Sequence, residues 1–452
     1  MKLSDKKIDM LKGPLAKSIF LFTIPIAVGS IIQQLFNSAD TWVVGFFSSS
    51  NALAAVGTNA EIIAMIVTVS SGLSVGANIA AAKCIGKGKK HELPFISAGA
   101  VLLAAVVGIV VLLLGQRLSL PLLNIIKVPD SILPSAQKYL QIYFLGYPFL
   151  LLYDFCAAIL RSVGNSRYPF AVIVISGAVN LVFNIFFVTV FHLDVVGVAI
   201  ATDISCALSA VLLVLKLRKE KLLEKIKIPA KETAKRAAEI LKTGVPSALS
   251  GAVFCFANIF VQASVNTFGP AAIAGSTVAV NFEYFVYYII TAFGQTAATF
   301  TGQNHAAENF SRCKKITGLC LLFSVALSLA ATAPIIVFRE FFAGLFSSDP
   351  AVIQNAVLRT MCILLLEPMC GLYEIPGGTL RGSGHATLPA LCTVVGTCLF
   401  RIVWIFTVFA ANPSLSLLYR AFPLSWLVTT LLTAAAFIAA RPFAAADRSK
   451  SQ

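Results

Sequence analysis

The sequence carries little charge for its length. Lys, Arg, Asp and Glu make up 12% of its 452 residues, whereas soluble domains average about 25%. Hydrophobic residues make up 58%, more than a soluble fold could bury. These proportions exclude an ordinary soluble enzyme, a secreted disulfide scaffold and a nucleic-acid-binding domain as the whole protein. They predict an all-α polytopic membrane protein.

The sequence also lacks the spacings typical of catalytic and metal sites. Its ten cysteines contain no CxxC pair and lie mostly in apolar runs, where cysteine behaves as a small hydrophobic residue. The run KCIGKGKK at 83–90 lacks the GxxxxGK[ST] spacing of a phosphate loop, and the four histidines lack zinc spacing. We therefore expect no enzyme activity and no cofactor. Any uphill transport would be driven by an ion gradient or by a partner.

Twelve apolar stretches are long enough to cross a bilayer, which takes about 20 residues per helix. The first is too long for a signal peptide, so we expect it to be retained as a helix. The predicted spans are 15–47, 52–82, 94–114, 139–160, 169–190, 196–215, 240–268, 271–301, 316–338, 357–380, 388–409 and 421–440.

Most of the 35 Lys and Arg residues fall in segments on one side of these spans. Positive charge collects on the cytoplasmic side, so we expect both termini to be cytoplasmic. The net charge of +15 is then a topology signal, and we expect no nucleic-acid partner. The few cations assigned to the other side are Arg117, Lys127, Lys138, Arg339, Arg359 and Arg420.

The two halves of the chain resemble each other at an offset of 220 or 221 residues. Six spans per half is an even number, so the halves share one orientation and a pseudo-twofold axis along the membrane normal is expected. We predict an N-terminal six-helix lobe over 1–220, a cytoplasmic linker over 221–239, a C-terminal six-helix lobe over 240–441 and a cytoplasmic tail over 442–452. The matched pairs include Leu160-Arg161 with Leu380-Arg381, Gly164 with Gly384, Asp154 with Glu374, Pro25 with Pro246 and Asn37 with Asn258.

Polar residues inside the N-terminal spans indicate an ion-coupling site, because ionisable groups in membrane helices are costly and usually functional. Carboxylate, amide and hydroxyl oxygens suit Na⁺, and a lone carboxylate could instead carry a proton. The alternative is that these groups only bond helices together. The candidates are Asp40, Asn37, Asn180, Asn184, Thr202 and Asp203, of which Asp40, Asn180, Asn184 and Thr202 would be the Na⁺ ligands.

A substrate cavity is expected where polar and aromatic side chains recur at helical spacing. Aromatic faces beside a carboxylate suit organic cations, although packing or an interfacial aromatic belt would give the same pattern. Arg401 is expected to pair with a carboxylate or to snorkel. Pro25 and Pro246 fall at matching places in spans 1 and 7, as hinges or as plain bends. The cavity candidates are Gln33, Asn258, Gln262, Glu283, Tyr284 and Tyr288.

Several short motifs together resemble the multidrug and toxic compound extrusion (MATE) transporters. The resemblance implies a protein of the cell inner (plasma) membrane with two six-helix lobes around a central cavity. It also implies export of amphiphilic, often cationic, compounds in exchange for Na⁺ or H⁺. The motifs are Ile24-Pro25, Asn37-Ser38-Ala39-Asp40, Leu160-Arg161 with Gly164 and Pro169, Gly302-Gln303-Asn304, and Leu380-Arg381-Gly382 with Gly384.

The resemblance is to the branch with its carboxylate in the N-lobe (DinF-like). It implies that Asp40, Asn180 and Thr202 match that branch's ion site, whereas Asn184 stands where a second aspartate is usual. The rival function is a lipid-linked oligosaccharide flippase of the same superfamily, which would need a cationic cavity. The expected partners are a small amphiphilic or cationic molecule and the lipid bilayer, with the protein acting as a monomer.

Overall fold

The computed structural model of the chain describes residues 7–48, 50–126, 128–223 and 230–443, and these residues contain helices and no strands. Twelve helical stretches of these residues are long and apolar enough to cross a membrane, so the predicted all-α polytopic fold is confirmed. Some of these stretches consist of more than one α-helix. The helices are α1 (Leu15–Phe47), α2 (Ser50–Gly86), α3 (Leu93–Ile125), α4 (Leu133–Ser162), α5 (Arg167–Thr189), α6 (Asp194–Lys219), α7 (Ala230–Asn266), α8 (Pro270–Ala306), α9 (Phe310–Val337), α10 (Arg339–Gly344), α11 (Pro350–Cys362), α12 (Gly371–Ser383), α13 (Thr387–Thr393), α14 (Phe400–Trp404) and α15 (Leu415–Ala440).

Two of the predicted spans are not regular α-helices. Span 10 consists of α11 and α12 joined by a 3₁₀ segment, Leu364–Cys370, which contains Pro368. Span 11 consists of α13 and α14, each followed by a π-helical segment, Val394–Leu399 and Ile405–Phe409. Proline removes one backbone donor, which accounts for the break in span 10. These interruptions lie beside the buried polar groups of the second half.

The chain divides into two compact units, and two helices are shared between them. The first part of α1 belongs to a different unit from the rest of α1, and the same is true of α7. The N-unit comprises Val28–Ala248 with the described residues before Asp9, and the C-unit comprises Asp9–Ala27 with the described residues from Leu249 onward. The chain therefore changes unit inside α1 and again inside α7. Each change falls two residues after a proline, Pro25 in α1 and Pro246 in α7.

The first part of α1 packs within the C-unit against α8. Thr23 and Thr296 share a hydrogen bond of 2.8 Å between their Oγ1 atoms. The rings of Phe22 and Phe300 meet edge to face, with centroids 5.3 Å apart. Both contacts are fully buried, so this stretch of α1 belongs to the core of the C-unit.

The first part of α7 packs within the N-unit against α2, at a spacing that only glycine permits. A Cβ on Gly76 would lie 2.1 Å from the carbonyl oxygen of Ile240, and a Cβ on Gly72 would lie 2.5 Å from the Cα of Ala248. Small residues four apart let membrane helices approach closely. The sequence Gly72-x-x-x-Gly76 therefore carries the contact between these two helices.

Part of the predicted 221–239 linker is helical. Residues 230–239 form the start of α7, and Arg236 there makes an ion pair of 2.7 Å with Glu92. Residues 224–229 of the predicted linker, and 444–452 of the predicted tail, lie outside the described residues. The lobe boundaries drawn from the sequence stay a prediction.

The helices that carry Leu160-Arg161 and Leu380-Arg381 are followed by glycines in the same backbone conformation. Gly164 follows α4 with φ +88°, and Gly384 follows α12 with φ +105°. Glycine adopts this left-handed region without the steric cost that other residues meet. The repeat therefore extends to the turn that closes span 4 and span 10.

Candidate functional site

Four of the predicted coupling residues meet inside the N-unit. Asn184 on α5 donates a hydrogen bond from Nδ2 to Oδ1 of Asp40 on α1, and the same Nδ2 lies 3.2 Å from Oδ1 of Asn180. Asn180 in turn donates to Oγ1 of Thr202 on α6, at 3.3 Å. The four side chains thus form one hydrogen-bonded chain across three helices, which we call the Asp40 cluster.

The Asp40 cluster offers oxygen atoms to a small cation. Oδ1 of Asn184 is buried and has no hydrogen-bond partner in the described part of the chain. Buried polar atoms are usually paired, so this oxygen is an open acceptor beside the Asp40 carboxylate. Carboxylate, amide and hydroxyl oxygens are the ligands that hard cations prefer. The residues present therefore fit Na⁺, with Asp40 as the one charged ligand.

Asp203 lies next to Thr202 in sequence but faces another helix. Its Oδ1 would be 2.0 Å from a Cβ on Gly146 of α4, and it lines a crevice with Tyr143 and Tyr147. Side chains of neighbouring residues on a helix point about 100° apart. Asp203 therefore faces away from Thr202 and makes no described hydrogen bond to the Asp40 cluster. Asn37, one turn before Asp40, is exposed.

Glu283, a predicted cavity residue, is already paired. Arg359 of α11 donates from Nε and Nη2 to its two carboxylate oxygens, at 2.7 and 2.8 Å. Nη1 of the same guanidinium donates to Ser276 at 2.7 Å. Arg359, which the sequence analysis counts with the cations of the other side, is only 5% exposed. Its position inside predicted span 10 was the signal that Arg359 lies among helices, but nothing in the sequence identified Glu283 as its partner.

The other predicted cavity residues lie on three different helices, α1, α7 and α8. Tyr284 and Tyr288 stack with ring centroids 5.9 Å apart, and Tyr284 is 39% exposed. Gln262 donates to Asn266, one turn further along α7, at 2.9 Å. Gln33 is half-buried on α1.

Arg401 does not behave as the sequence suggested. It is 1% exposed, so it does not snorkel, and it makes no ion pair with any carboxylate that the structure describes. Its Nη1 donates to Oδ1 of Asn258 and its Nε to Oγ of Ser425, both at 3.1 Å. The expectation failed because neutral oxygens and an aromatic ring surround this guanidinium in place of an acid.

Twelve membrane-length helices in two repeated units, each with a buried polar cluster, define a multi-pass membrane transporter. The family model described as MatE matches residues 25–210 and matches a second time at 246–407. The chain therefore belongs to the MATE family of multidrug efflux transporters. The two matches begin at Pro25 and Pro246 and thus fall on the two halves of the internal repeat.

Individual relatives carry the names of drug exporters rather than enzymes. The chain is 27% identical over 380 residues to "Probable multidrug resistance protein YpnP" of Bacillus subtilis (strain 168), covering 84% of this chain and 85% of that one. It is 22% identical over 387 residues to "Multidrug export protein MepA" of Staphylococcus aureus (strain NCTC 8325 / PS 47), with 84% and 85% covered. A crystal structure of a MATE protein in complex with MaL6 shares the fold, with TM-score 0.87, 20% identity and coverage of 95% and 97%.

Proposed function

We propose that the chain is an antiporter that exports amphiphilic, often cationic, organic compounds by alternating access, driven by a Na⁺ or H⁺ gradient. The observation that carries this proposal is the Asp40 cluster, which joins α1, α5 and α6 around one carboxylate. The names of the relatives support the substrate class. The excess of Lys and Arg in one set of loops supports cytoplasmic termini, and we assign the protein to the plasma membrane on the family it belongs to.

A coupling ion would act by replacing hydrogen bonds within the cluster. Na⁺ bound to Asp40 and to the open Oδ1 of Asn184 would compete with the Asn184 Nδ2 bond, whereas H⁺ would remove the charge that Nδ2 now meets. Either event changes the contact between α1 and α5. A ligand shifts a conformational equilibrium only by its differential affinity for the two states, so this contact must differ between the inward-facing and outward-facing forms.

The prolines stand at the points where such a change could be transmitted. Pro25 and Pro246 each precede by two residues the place where the chain passes from one unit to the other. Proline weakens the helical hydrogen-bond ladder, so bending there would move one part of a helix while the other part stays with its own unit. We assign both residues to hinges.

The substrate would meet aromatic faces more readily than a free carboxylate. Tyr284 and Tyr288 present stacked rings, and rings of this kind attract organic cations. Glu283 is neutralised by Arg359, so it would shape the cavity wall only indirectly. Gln33, Asn258 and Gln262 stay proposed cavity residues, and one chain with both units is expected to work as a monomer.

The decisive experiment is efflux of a fluorescent organic cation from proteoliposomes under separately imposed Na⁺ and H⁺ gradients. One gradient should drive efflux by the wild type, and Asp40→Asn should abolish it while unfolding at the same temperature as the wild type. Asp154→Asn is the matched control, because Asp154 is also an N-unit carboxylate in a membrane helix but bonds Ser70 at 2.6 Å, outside the cluster. Full efflux by Asp40→Asn would refute the coupling site, and no efflux under either gradient would favour the flippase.

A further inference from the structure

Arg401 is a buried charge without an anionic partner among the described residues. Its guanidinium Cζ lies 4.0 Å from the ring centroid of Phe422 and 5.5 Å from that of Phe254. Only Asn258 and Ser425 accept hydrogen bonds from it, which leaves three of its five N–H groups unused in the described part of the chain. Arginine stays protonated in proteins, and a buried charge is costly unless it is paired.

Two other arginines within the helices of the C-unit, one buried and one half-buried, are neutralised. Arg359 lies 5.5 Å from the same Phe422 ring and is paired with Glu283, and Arg381 is paired with Glu374. Glu367 is buried in the 3₁₀ segment, yet it forms no ion pair with Arg401. Arg401 is therefore a fully buried arginine whose charge no carboxylate compensates in the part of the C-unit that the structure describes.

The internal repeat places Arg401 where the N-unit has the Asp40 cluster. The N-unit joins a carboxylate on α1 with amides on α5 and a hydroxyl on α6. The C-unit joins the amide of Asn258 on α7 with a guanidinium on α14 and the hydroxyl of Ser425 on α15, and these are the equivalent spans 7, 11 and 12. The order of the connections and the hydroxyl on the last of the three spans correspond. The charged group differs, because it is a carboxylate on span 1 in the N-unit and a guanidinium on span 11 in the C-unit. π-Helical segments flank Arg401 on both sides, and such segments frequently occur at functional sites.

We propose that Arg401, Asn258 and Ser425 form an anion site in the C-unit, which takes a small monovalent anionic group, a carboxylate or a halide. Asn258 and Ser425 orient the guanidinium through Nη1 and Nε, and the Phe422 ring covers one face. The unused N–H groups are then the donors to the anion. A guanidinium binds a carboxylate through paired hydrogen bonds. A transported zwitterion is one source of such a carboxylate, and that source alone rests on the function proposed above.

The first test measures anion binding without any transport. The thermal unfolding midpoint of the purified full chain in detergent is followed while chloride or acetate replaces a bulky organosulfonate at constant ionic strength. The wild type should show a saturable rise, which Arg401→Gln should lose and Arg401→Lys should keep. Arg312→Gln is the matched control, because Arg312 is a C-unit cation that bonds backbone carbonyls of Met10 and Lys12. It should respond to the anions as the wild type does.

Two outcomes of this test would overturn the anion site. One is a wild type with no saturable dependence on either anion, and the other is an equal rise in Arg401→Gln. If Arg401→Gln does not fold, Ser425→Ala decides, because it keeps the charge but removes the acceptor that orients Nε. An apparent dissociation constant for chloride and acetate unchanged in Ser425→Ala would then refute the proposal.

The second test distinguishes the source of the anion with a pair of rhodamines, a cationic methyl ester and its zwitterionic free acid. If the anion belongs to the transported molecule, Arg401→Gln should bind the free acid about tenfold or more weakly and the ester unchanged, as expected for a charged hydrogen bond. Equal binding of both dyes by wild type and variant, with the chloride response intact, assigns the site to an inorganic anion. Failure of the wild type to bind either dye would count against the proposed drug export and leave the anion result standing.

Discussion

Glu283 and Arg359 form a two-pronged ion pair inside the C-unit, with both carboxylate oxygens within 2.8 Å of guanidinium nitrogens. The pair fixes α8 to α11, and the third guanidinium nitrogen reaches Ser276 on α8 as well. The rings of Tyr419 and Phe422 lie 5.3 and 5.5 Å from the guanidinium carbon. Glu283 is therefore a structural carboxylate in this conformation.

Removing the charge of Glu283 should destabilise the C-unit strongly. Glu283→Gln leaves a buried guanidinium without its counter-ion, which costs about 3–5 kcal/mol. Denaturation in mixed micelles should show this loss, and the double variant Glu283→Leu with Arg359→Met should recover most of it because no unpaired charge remains. A single variant as stable as the wild type would contradict the assignment of this pair to the buried core.

Replacing the hinge prolines should slow transport without weakening the fold. Pro25→Ala and Pro246→Ala each return a backbone donor to the helix, so bending at the change of unit becomes harder and efflux should fall several-fold. Pro334→Ala is the control, since Pro334 lies inside α9 and away from both changes of unit. Initial efflux rates at matched protein density are the measurement. Equal rates for all three variants would show that the prolines are plain bends.

Gly164 should tolerate no side chain. Its φ is +88°, and an added Cβ would lie 2.2 Å from the carbonyl oxygen of Ile8, so Gly164→Ala should lower stability by about 1–3 kcal/mol. Gly318→Ala offers the opposite expectation, because nothing lies within 4 Å of its added Cβ and alanine favours helix by about 1 kcal/mol. The two unfolding midpoints should therefore move in opposite directions, and a parallel shift would be inconsistent with the described turn.

Asn184→Asp should change the ion dependence of transport. The variant places a second carboxylate beside Asp40, and their repulsion is relieved by a cation that binds both. Half-maximal Na⁺ stimulation of efflux should therefore occur at a lower Na⁺ concentration than in the wild type. The comparison is made at fixed pH with Asn281→Asp as control, since Asn281 lies on α8 of the C-unit and bonds the backbone carbonyl of Thr277. An identical Na⁺ dependence in the wild type and Asn184→Asp would argue against Na⁺ binding at this cluster.

Much of the fold and part of the candidate site could be predicted from sequence because both depend on local patterns. The bounds predicted for the first span coincide with α1, Leu15–Phe47. Polar residues that recur on apolar helices predicted a common site. The structure brings together four of them, Asp40, Asn180, Asn184 and Thr202. Hydropathy and helical spacing carry this information directly.

Contacts between side chains that are distant in the sequence could not be predicted. Arg359 and Glu283 are 76 positions apart, and no periodicity in the sequence joins them. The 3₁₀ and π segments of spans 10 and 11 are invisible to hydropathy because their apolar content does not change. The exchange of helix parts is likewise hidden, since the two parts of α1 are similarly apolar and differ only in what they pack against.

The exchange of helix parts has a consequence for how the chain must be assembled. The threonine pair at 23 and 296 joins residues 273 positions apart, so the beginning of α1 is synthesised long before α8 exists to receive it. The N-unit in turn lacks the first part of α7, which packs against α2, until synthesis has passed Ala248. Loop closure over such separations makes folding slow. Neither half of the duplicated sequence therefore encodes a complete folding unit, and a chain cut between α6 and α7 must regain its native core by reassociation of the two fragments.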